Sequence, residues 1–261
     1  MRLCSLWSGG PLGYLEKLSL ASAVSVGHAV TLFSYDPDSL INVPAGVDVG
    51  DANDVMSDPR RTRLLKDGYF ALASDFFRYE ILAKRLGCWI DLDLIFLRQL
   101  PPCEYLFGWE SEYSINGAVL ALPNGALLDT LRKIPEKNWL PPYFGPRRTF
   151  QYLLNRAFGP VYLEDLPWGA VGPELITYLV KSHGIEHLAQ PREAFYPVRY
   201  QDAKKLYEQS DVVDQLIADS TITVHMWNSK LRELAKRPPP PNSFVGRMCS
   251  RYSIDICTAS A

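Results

Sequence analysis

The first 35 residues constrain the fold most tightly. An apolar run, Leu3 to Trp7, ends in the turn-forming SGGPLG, and a helical pattern follows from Leu12 to Val26. Leu12, Leu15, Leu18, Ser22 and Val26 share one face of that helix, and Gly27 is placed to stop it. Ala29 to Tyr35 (AVTLFSY) is apolar and β-branched, as a second buried strand would be. Strand, helix and strand in this order form a βαβ unit, whose strands run parallel and whose crossover is right-handed. Parallel strands are buried on both faces, so the rest of the chain must supply covering helices.

The pattern along the chain meets that demand. Further strands are expected near Gly46 to Val49, Tyr105 to Trp109, Ile115 to Leu122 and Thr221 to Trp227. Helices are expected over Gly125 to Ile134, Arg147 to Phe158 and Pro173 to Ser182. Asp51 to Arg63 reads as a charged connection, and Trp139 to Pro146 as a rigid aromatic loop. With 261 residues, 47% of them hydrophobic, one α/β domain is expected over residues 1–237. The run Pro238 to Pro241 then predicts a loosely attached Pro-rich tail, residues 238–261.

Charge and rare residues exclude several classes of function. Lys and Arg number 27 against 29 Asp and Glu, which disfavours a nucleic-acid binder driven by phosphate neutralisation. Cys4, Cys88, Cys103, Cys249 and Cys257 form no CxxC pair and are odd in number, so neither a zinc cluster nor a disulfide framework is expected and the compartment reads as reducing. The N-terminus lacks the apolar core of a secretory signal, and no apolar run reaches the roughly 18 residues of a membrane span. The expectation is a soluble, cytoplasmic protein. Arg237, Arg247 and Arg251 around the proline run are by default a solvated tail; the alternative is peripheral contact with an anionic membrane.

The densest chemistry lies in Tyr69 to Leu97. Leu72, Phe76, Tyr79, Ala83 and Leu86 recur at helical spacing with Gly87 as the stop, and Ala73, Phe77 and Ile81 add a second apolar row. Ser74, Asp75 and Arg78 sit on this nearly all-apolar helix, where charge is costly unless paired or bound. Asp75 and Arg78 are therefore either a buried ion pair or ligand contacts, and Ser74 either a small packing residue or part of the same pocket. Cys88 to Ile90 begins a strand that Asp91-Leu92-Asp93 interrupts and Leu94 to Leu97 resumes. In an extended chain Asp91 and Asp93 share a face, and two repelling carboxylates between apolar runs invite a hard divalent cation. A bare DxD also occurs in structural turns.

Trp7 and the pair His225 and Trp227 carry similar alternatives. Trp7 is either a core aromatic or, at the carboxyl end of the first strand, a stacking platform for a nucleotide base. The SGGPLG turn is not a dinucleotide fingerprint. His225 and Trp227, two apart in a predicted strand, share a face; a lone strand histidine is more often core than ligand.

The stretch Leu72-Ala-Ser-Asp75-Phe-Phe-Arg78-Tyr79, followed by Leu82, Gly87, Trp89 and Asp91-Leu-Asp93, resembles the signature of the DXD sugar-transferase family. This is the family 32 type of glycosyltransferase, related to glucosylating toxin catalytic domains and to α-1,4-glycosyltransferases. LWSGGPL, VPAGVDVGDAND, INGAVLALP, Gly172-Pro173 and VHMWNSKLR extend the resemblance over most of residues 1–230. The chain departs from the pattern at Cys88, where the family has a second Gly, at the missing His before Trp7, and at Gly117, where an Asn is expected.

The resemblance implies a GT-A type, Rossmann-like fold with a single mixed, mostly parallel central sheet flanked by helices. It implies metal-dependent transfer, with retention, from a nucleotide-diphosphate sugar, UDP being the expected nucleotide. Under it, Asp93 is a direct ligand of Mn²⁺ or Mg²⁺, Asp91 reaches the ribose and the metal, and His225 completes the metal shell. Trp7 stacks on uracil, Asp75 and Arg78 bind donor-sugar hydroxyls, and Ser74 and Tyr79 line the same pocket. Asn116 approaches the sugar, while Trp227 and Asn228 join His225 on the diphosphate. The implied acceptor is a glycan or lipid-linked saccharide, as in bacterial surface-polysaccharide synthesis. The alternatives are an effector-like transferase that modifies protein and a catalytically silent nucleotide-sugar-binding protein. No side chain stands out as a nucleophile.

Overall fold

In the computed structural model, which describes residues 1–256, the leading βαβ unit forms as its pattern requires. Strand β1 (Arg2–Leu6) crosses through helix α1 (Tyr14–Ser25) to strand β2 (Ala29–Ser34), and the strands pair in parallel from Arg2 opposite Ala29 to Leu6 opposite Phe33. Strand β3 (Val47–Asp51) extends the parallel sheet beyond β2. Helices α2 (Pro59–Lys66) and α3 (Phe70–Ala83) lead into β4 (Cys88–Ile90), which pairs in parallel with β1 on its other side. A turn then passes to β5 (Leu94–Phe96). Strands β6 (Leu106–Trp109) and β7 (Ile115–Ala121) follow, with β7 antiparallel to both β4 and β6. The sheet order is β3-β2-β1-β4-β7-β6.

The second half of the chain is mostly helical: α4 (Ala126–Arg132), α5 (Pro146–Phe158), α6 (Pro173–Ser182), α7 (Arg192–Phe195) and α8 (Val212–Leu216). The short strand β8 (Thr223–His225) then pairs antiparallel with β5 as a separate two-stranded ribbon. Helices α9 (Asn228–Leu231) and α10 (Phe244–Arg251) complete the described residues.

The strand period divides the apolar residues between two cores. Leu3, Val30, Leu32, Cys88 and Ile90 enter one, together with residues of α1, β5, β8 and α10. Cys4, Leu6, Phe33 and Trp89 enter the other, against α3, α4 and α6. A mixed six-stranded sheet with helices on both faces is the GT-A type, Rossmann-like arrangement.

Local details differ from the expectations. Helix α3 ends through Arg85, which takes the left-handed conformation at φ 56°, and Gly87 serves a different purpose. A Cβ at 87 would stand 2.6 Å from the Arg2 carbonyl oxygen, so the glycine lets β4 lie close beside β1. The charged connection contains α2, capped by the Asp58 side chain accepting from the Arg60 amide, with Pro59 pre-set for the first turn. The loosely attached tail is not what residues 238–256 form. Ser243 caps α10, and Phe244, Val245 and Cys249 are buried in the first core. Arg247 is ion-paired with Asp214. A short amphipathic pattern, FVGRMC, outweighs the preceding proline run because it puts Phe244, Val245 and Cys249 on one face that the first core buries. Cys257, with the rest of 257–261, lies outside the described residues.

Candidate active site

Asp91, Leu92 and Asp93 form the turn between β4 and β5, not a continuous strand, so the two carboxylates do not owe their convergence to a shared strand face. Leu92 is buried in the first core and pins the turn. The Asp91 amide donates to the Ala118 carbonyl of β7 at 2.8 Å. Its side-chain Oδ1 accepts from the Trp89 indole at 2.6 Å and from Arg78 Nη2 at 3.0 Å. Across the turn the Asp93 carbonyl accepts from the Met226 amide at 2.7 Å. Asp93 Oδ1 lies 2.9 Å from His225 Nε2, and Oδ2 accepts from the Asn228 amide at 3.0 Å. The β5–β8 ribbon, which sets Leu94 opposite His225, is what brings the imidazole there.

One ligand atom each from Asp91, Asp93 and His225 lies within 4.8 Å of the others. Burial pushes the Asp91 carboxyl above its ordinary range; Arg78 opposes and Asp93 adds to the rise. Burial would raise Asp93 as well, but the His225 charge and hydrogen bond, with the Asn228 amide, outweigh it and hold Asp93 low. For His225, burial favours the neutral ring, yet Asp93 and then Asp91 win and raise its pKa. Its Nδ1 is buried without a hydrogen-bond partner. Two carboxylates and an imidazole in mutual reach, with one ring nitrogen still unsatisfied, fit a divalent metal ion.

Arg78 ties this cluster to the helix before it. Its Nη1 lies 2.9 Å from Asp75 Oδ1 while Nη2 holds Asp91, so the guanidinium bridges α3 and the turn. The ion pair is therefore present, and it is joined to the candidate metal ligands. Burial raises the Asp75 carboxyl to about 6, against the pull of Arg78 and with a smaller push from Asp91. Two glycines make room for the pair. A Cβ at Gly172 would stand 2.8 Å from either Asp75 oxygen, and one at Gly117 would overlap Arg78 Nη1. In this chain the guanidinium occupies the space that a side chain at position 117 would need.

Trp7 stands half-buried just past β1, its indole donating to the Gly10 carbonyl at 2.7 Å. A Cβ at Gly9 would be 2.8 Å from the ring, so the Gly-Gly turn folds against the indole and fixes its plane. Ser74 is half-buried, one residue before Asp75. Asn116 donates to Glu110 at 2.8 Å and accepts from the Ala118 amide at 2.7 Å, bracing the strand that holds Asp91.

Two residues expected in the pocket face the core. Tyr79 is wholly buried, and its hydroxyl donates to the Val171 carbonyl at 2.8 Å, supporting the Gly172 loop from beneath. Trp227 does not continue β8. It takes φ 59°, buries its ring 3.9 Å from the His225 ring centre, and donates to the Val198 carbonyl at 2.9 Å. Both are packing residues because their polar atoms are spent on backbone. Asn228 does reach the site, through its main-chain amide, and its side chain donates to Glu16 at 3.1 Å. Glu16 was missed by sequence reasoning. Its signal was there: it lies four residues after Leu12, on the apolar face of α1, and is buried.

Residues 144–259 match the model of the "Alpha 1,4-glycosyltransferase conserved region", which takes in α5 through α10. Lactosylceramide 4-alpha-galactosyltransferase of Pongo pygmaeus is 31% identical over 169 residues, covering 60% of this chain and 67% of that one. The same enzyme of Homo sapiens is also 31% identical over 60% of this chain, but the match takes in 41% of its own length. Human alpha-1,4-N-acetylglucosaminyltransferase is 25% identical over 175 residues, 62% of this chain and 44% of that protein. The chain thus spans between 41% and 67% of these relatives. On this likeness, and with the fold and carboxylate turn described above, the chain belongs to the alpha-1,4-glycosyltransferase family.

Proposed function

We propose that this protein moves a hexose from a nucleotide-diphosphate sugar, with UDP as the nucleotide, to a glycan or lipid-linked saccharide, with retention at the anomeric carbon. The observation that carries the reading is the convergence of Asp91, Asp93 and His225 beside the Arg78–Asp75 pair, at the carboxyl end of β4. Open α/β sheets take their ligands at that edge. The relatives, a lactosylceramide galactosyltransferase and an N-acetylglucosaminyltransferase by name, favour a glycan or glycolipid acceptor over a protein.

A divalent ion held by Asp93, Asp91 and His225 would supply Lewis-acid neutralisation of the leaving diphosphate. Asp93 is held ionised for that task by His225 and the Asn228 amide. Asp91 is aimed by the Trp89 indole and Arg78. Trp7, its plane set by Gly9, is the platform for the base, while Arg78 and Asp75 form the floor of the donor-sugar pocket. The acceptor hydroxyl oxygen bonds to the anomeric carbon as the bond to the diphosphate breaks, and the hydroxyl proton passes to the departing phosphate. No protein nucleophile takes part.

The test is UDP or GDP release from a panel of nucleotide sugars, with Mn²⁺ and with chelator. Metal-dependent release that Asp93→Ala removes supports the reading. Tight donor binding with no release under any condition would instead identify a silent nucleotide-sugar-binding protein.

A further inference from the structure

Helix α5 is built inside out. Its 13 residues span about 20 Å, and among them Tyr152 alone is buried. Phe150, Leu153, Leu154, Ala157 and Phe158 fall within an arc of about 140° on the side opposite Tyr152. All five are exposed, Phe150 at 64% and Phe158 at 92%. Nothing among the described residues covers this stripe. Residues 144–160 contain Arg147, Arg148 and Arg156 and no acid. Arg148 pairs with Glu174 at 2.7 Å, whereas Arg147 and Arg156 have no ion-pair partner among the described residues. Trp168, 80% exposed, stands in the next loop, which the Tyr143 hydroxyl holds at the Ala170 carbonyl.

We propose that α5 is an interfacial helix that lies on an anionic lipid surface, with Phe150, Leu153, Leu154 and Phe158 in the acyl boundary and Arg147 and Arg156 at the headgroups. Arg147 lies at the N-terminal end of the apolar side and Arg156 on the side nearer Tyr152, positions from which long cationic side chains reach the headgroups beside a buried apolar stripe. A second copy of the chain is a poorer occupant, because a two-fold contact through α5 would set the acid-free, cationic segments of both copies face to face. The helix is also fixed near the candidate site. Arg148 clamps it to Glu174 in the first turn of α6, two residues beyond the Gly172 that packs on Asp75. Membrane contact by α5 stands apart from the proposed function; that it presents the donor site to a lipid-linked acceptor rests on that reading.

The experiment is flotation of the whole chain with phosphatidylcholine vesicles, plain and containing phosphatidylglycerol, followed by donor hydrolysis on the same samples. The protein is expected to float with the anionic vesicles. Phe150→Ser/Leu154→Ser/Phe158→Ser is expected to lower partitioning at least about tenfold with an unchanged melting curve and unchanged donor hydrolysis. Arg147→Glu/Arg156→Glu is expected to lower it on the order of fivefold or more per residue, on anionic vesicles only. Should the triple variant melt early, Phe158→Ser alone, at a nearly bare position, gives the same reading with a smaller loss. Wild-type protein that stays at the bottom of the gradient, a triple variant that floats as well as wild type, or a wild-type dimer by light scattering that the triple variant abolishes would each overturn the proposal. Flotation without donor hydrolysis would leave it standing and remove the transferase reading instead.

Discussion

Helices α3 and α5 break the usual rule in opposite directions. Helix α3 carries Asp75 and Arg78 into the interior, while α5 carries Phe150 and Phe158 out into solvent. In α3 the exception is compensated on the spot, by two ion pairs and by two glycines that clear the space. In α5 the apolar stripe has no compensation within the described residues. A misplaced polar group that is satisfied inside the molecule points to an internal site, and a misplaced apolar group that is not points outward to something it meets. Substitutions in α3 should therefore disturb stability and catalysis together, and those in α5 neither.

The contrast is broken most sharply by removing its chemical end-point. Asp93→Ala is expected to lower metal-dependent nucleotide release by about 10³-fold or more while far-UV circular dichroism stays native, and chelator should do the same to the wild type. Undiminished turnover would remove Asp93 from the site. Arg78→Met leaves the buried Asp75 and the half-buried Asp91 without their cation and is expected to cost about 3–5 kcal/mol in denaturant unfolding.

The acid pH range tests the same pair from the other side. Because the folded state raises the Asp75 carboxyl to about 6 from an ordinary 3.8, the folded chain binds more protons than the unfolded one between those values. Asp75 therefore lowers stability as pH rises from about 4 to about 6, by roughly 3 kcal/mol at most. Asp75→Asn should flatten that slope in chelator-treated protein; an unchanged slope would assign it to other groups.

Gly117→Ala forces a methyl into the guanidinium and should cost about 1–3 kcal/mol by thermal unfolding. At the small end, Phe158→Ser should change stability by less than about 0.5 kcal/mol; a larger loss would mean that α5 is packed after all.

The parts of the fold legible from sequence were those with local periodicity. β1, α1 and β2 follow from short apolar runs, helical spacing and a stop at Gly27, whose φ is positive, within one short window. Helices α2 and α10 were hidden because each is short and follows Pro or charged residues that read as breakers. In the candidate site, Asp91 and Asp93 were visible by spacing, yet the reason was mistaken, since a turn and not a strand face brings them together. The role of His225 could not be read locally, because it depends on a ribbon pairing across 132 residues. Trp227 misled for a different, local reason. Its place two residues after His225 suggested a common face, and the left-handed backbone at 227 removes it.

The β5–β8 ribbon has a consequence for how the molecule comes into being. Asp93 is made within the first hundred residues of this sequence, but its imidazole and amide partners arrive with residues 225, 226 and 228, and Asn228 in turn touches Glu16, 212 positions earlier. On the ribosome the carboxylates would emerge long before the groups that complete their surroundings. Chemical competence thus appears only once residue 228 has been made and has met Glu16.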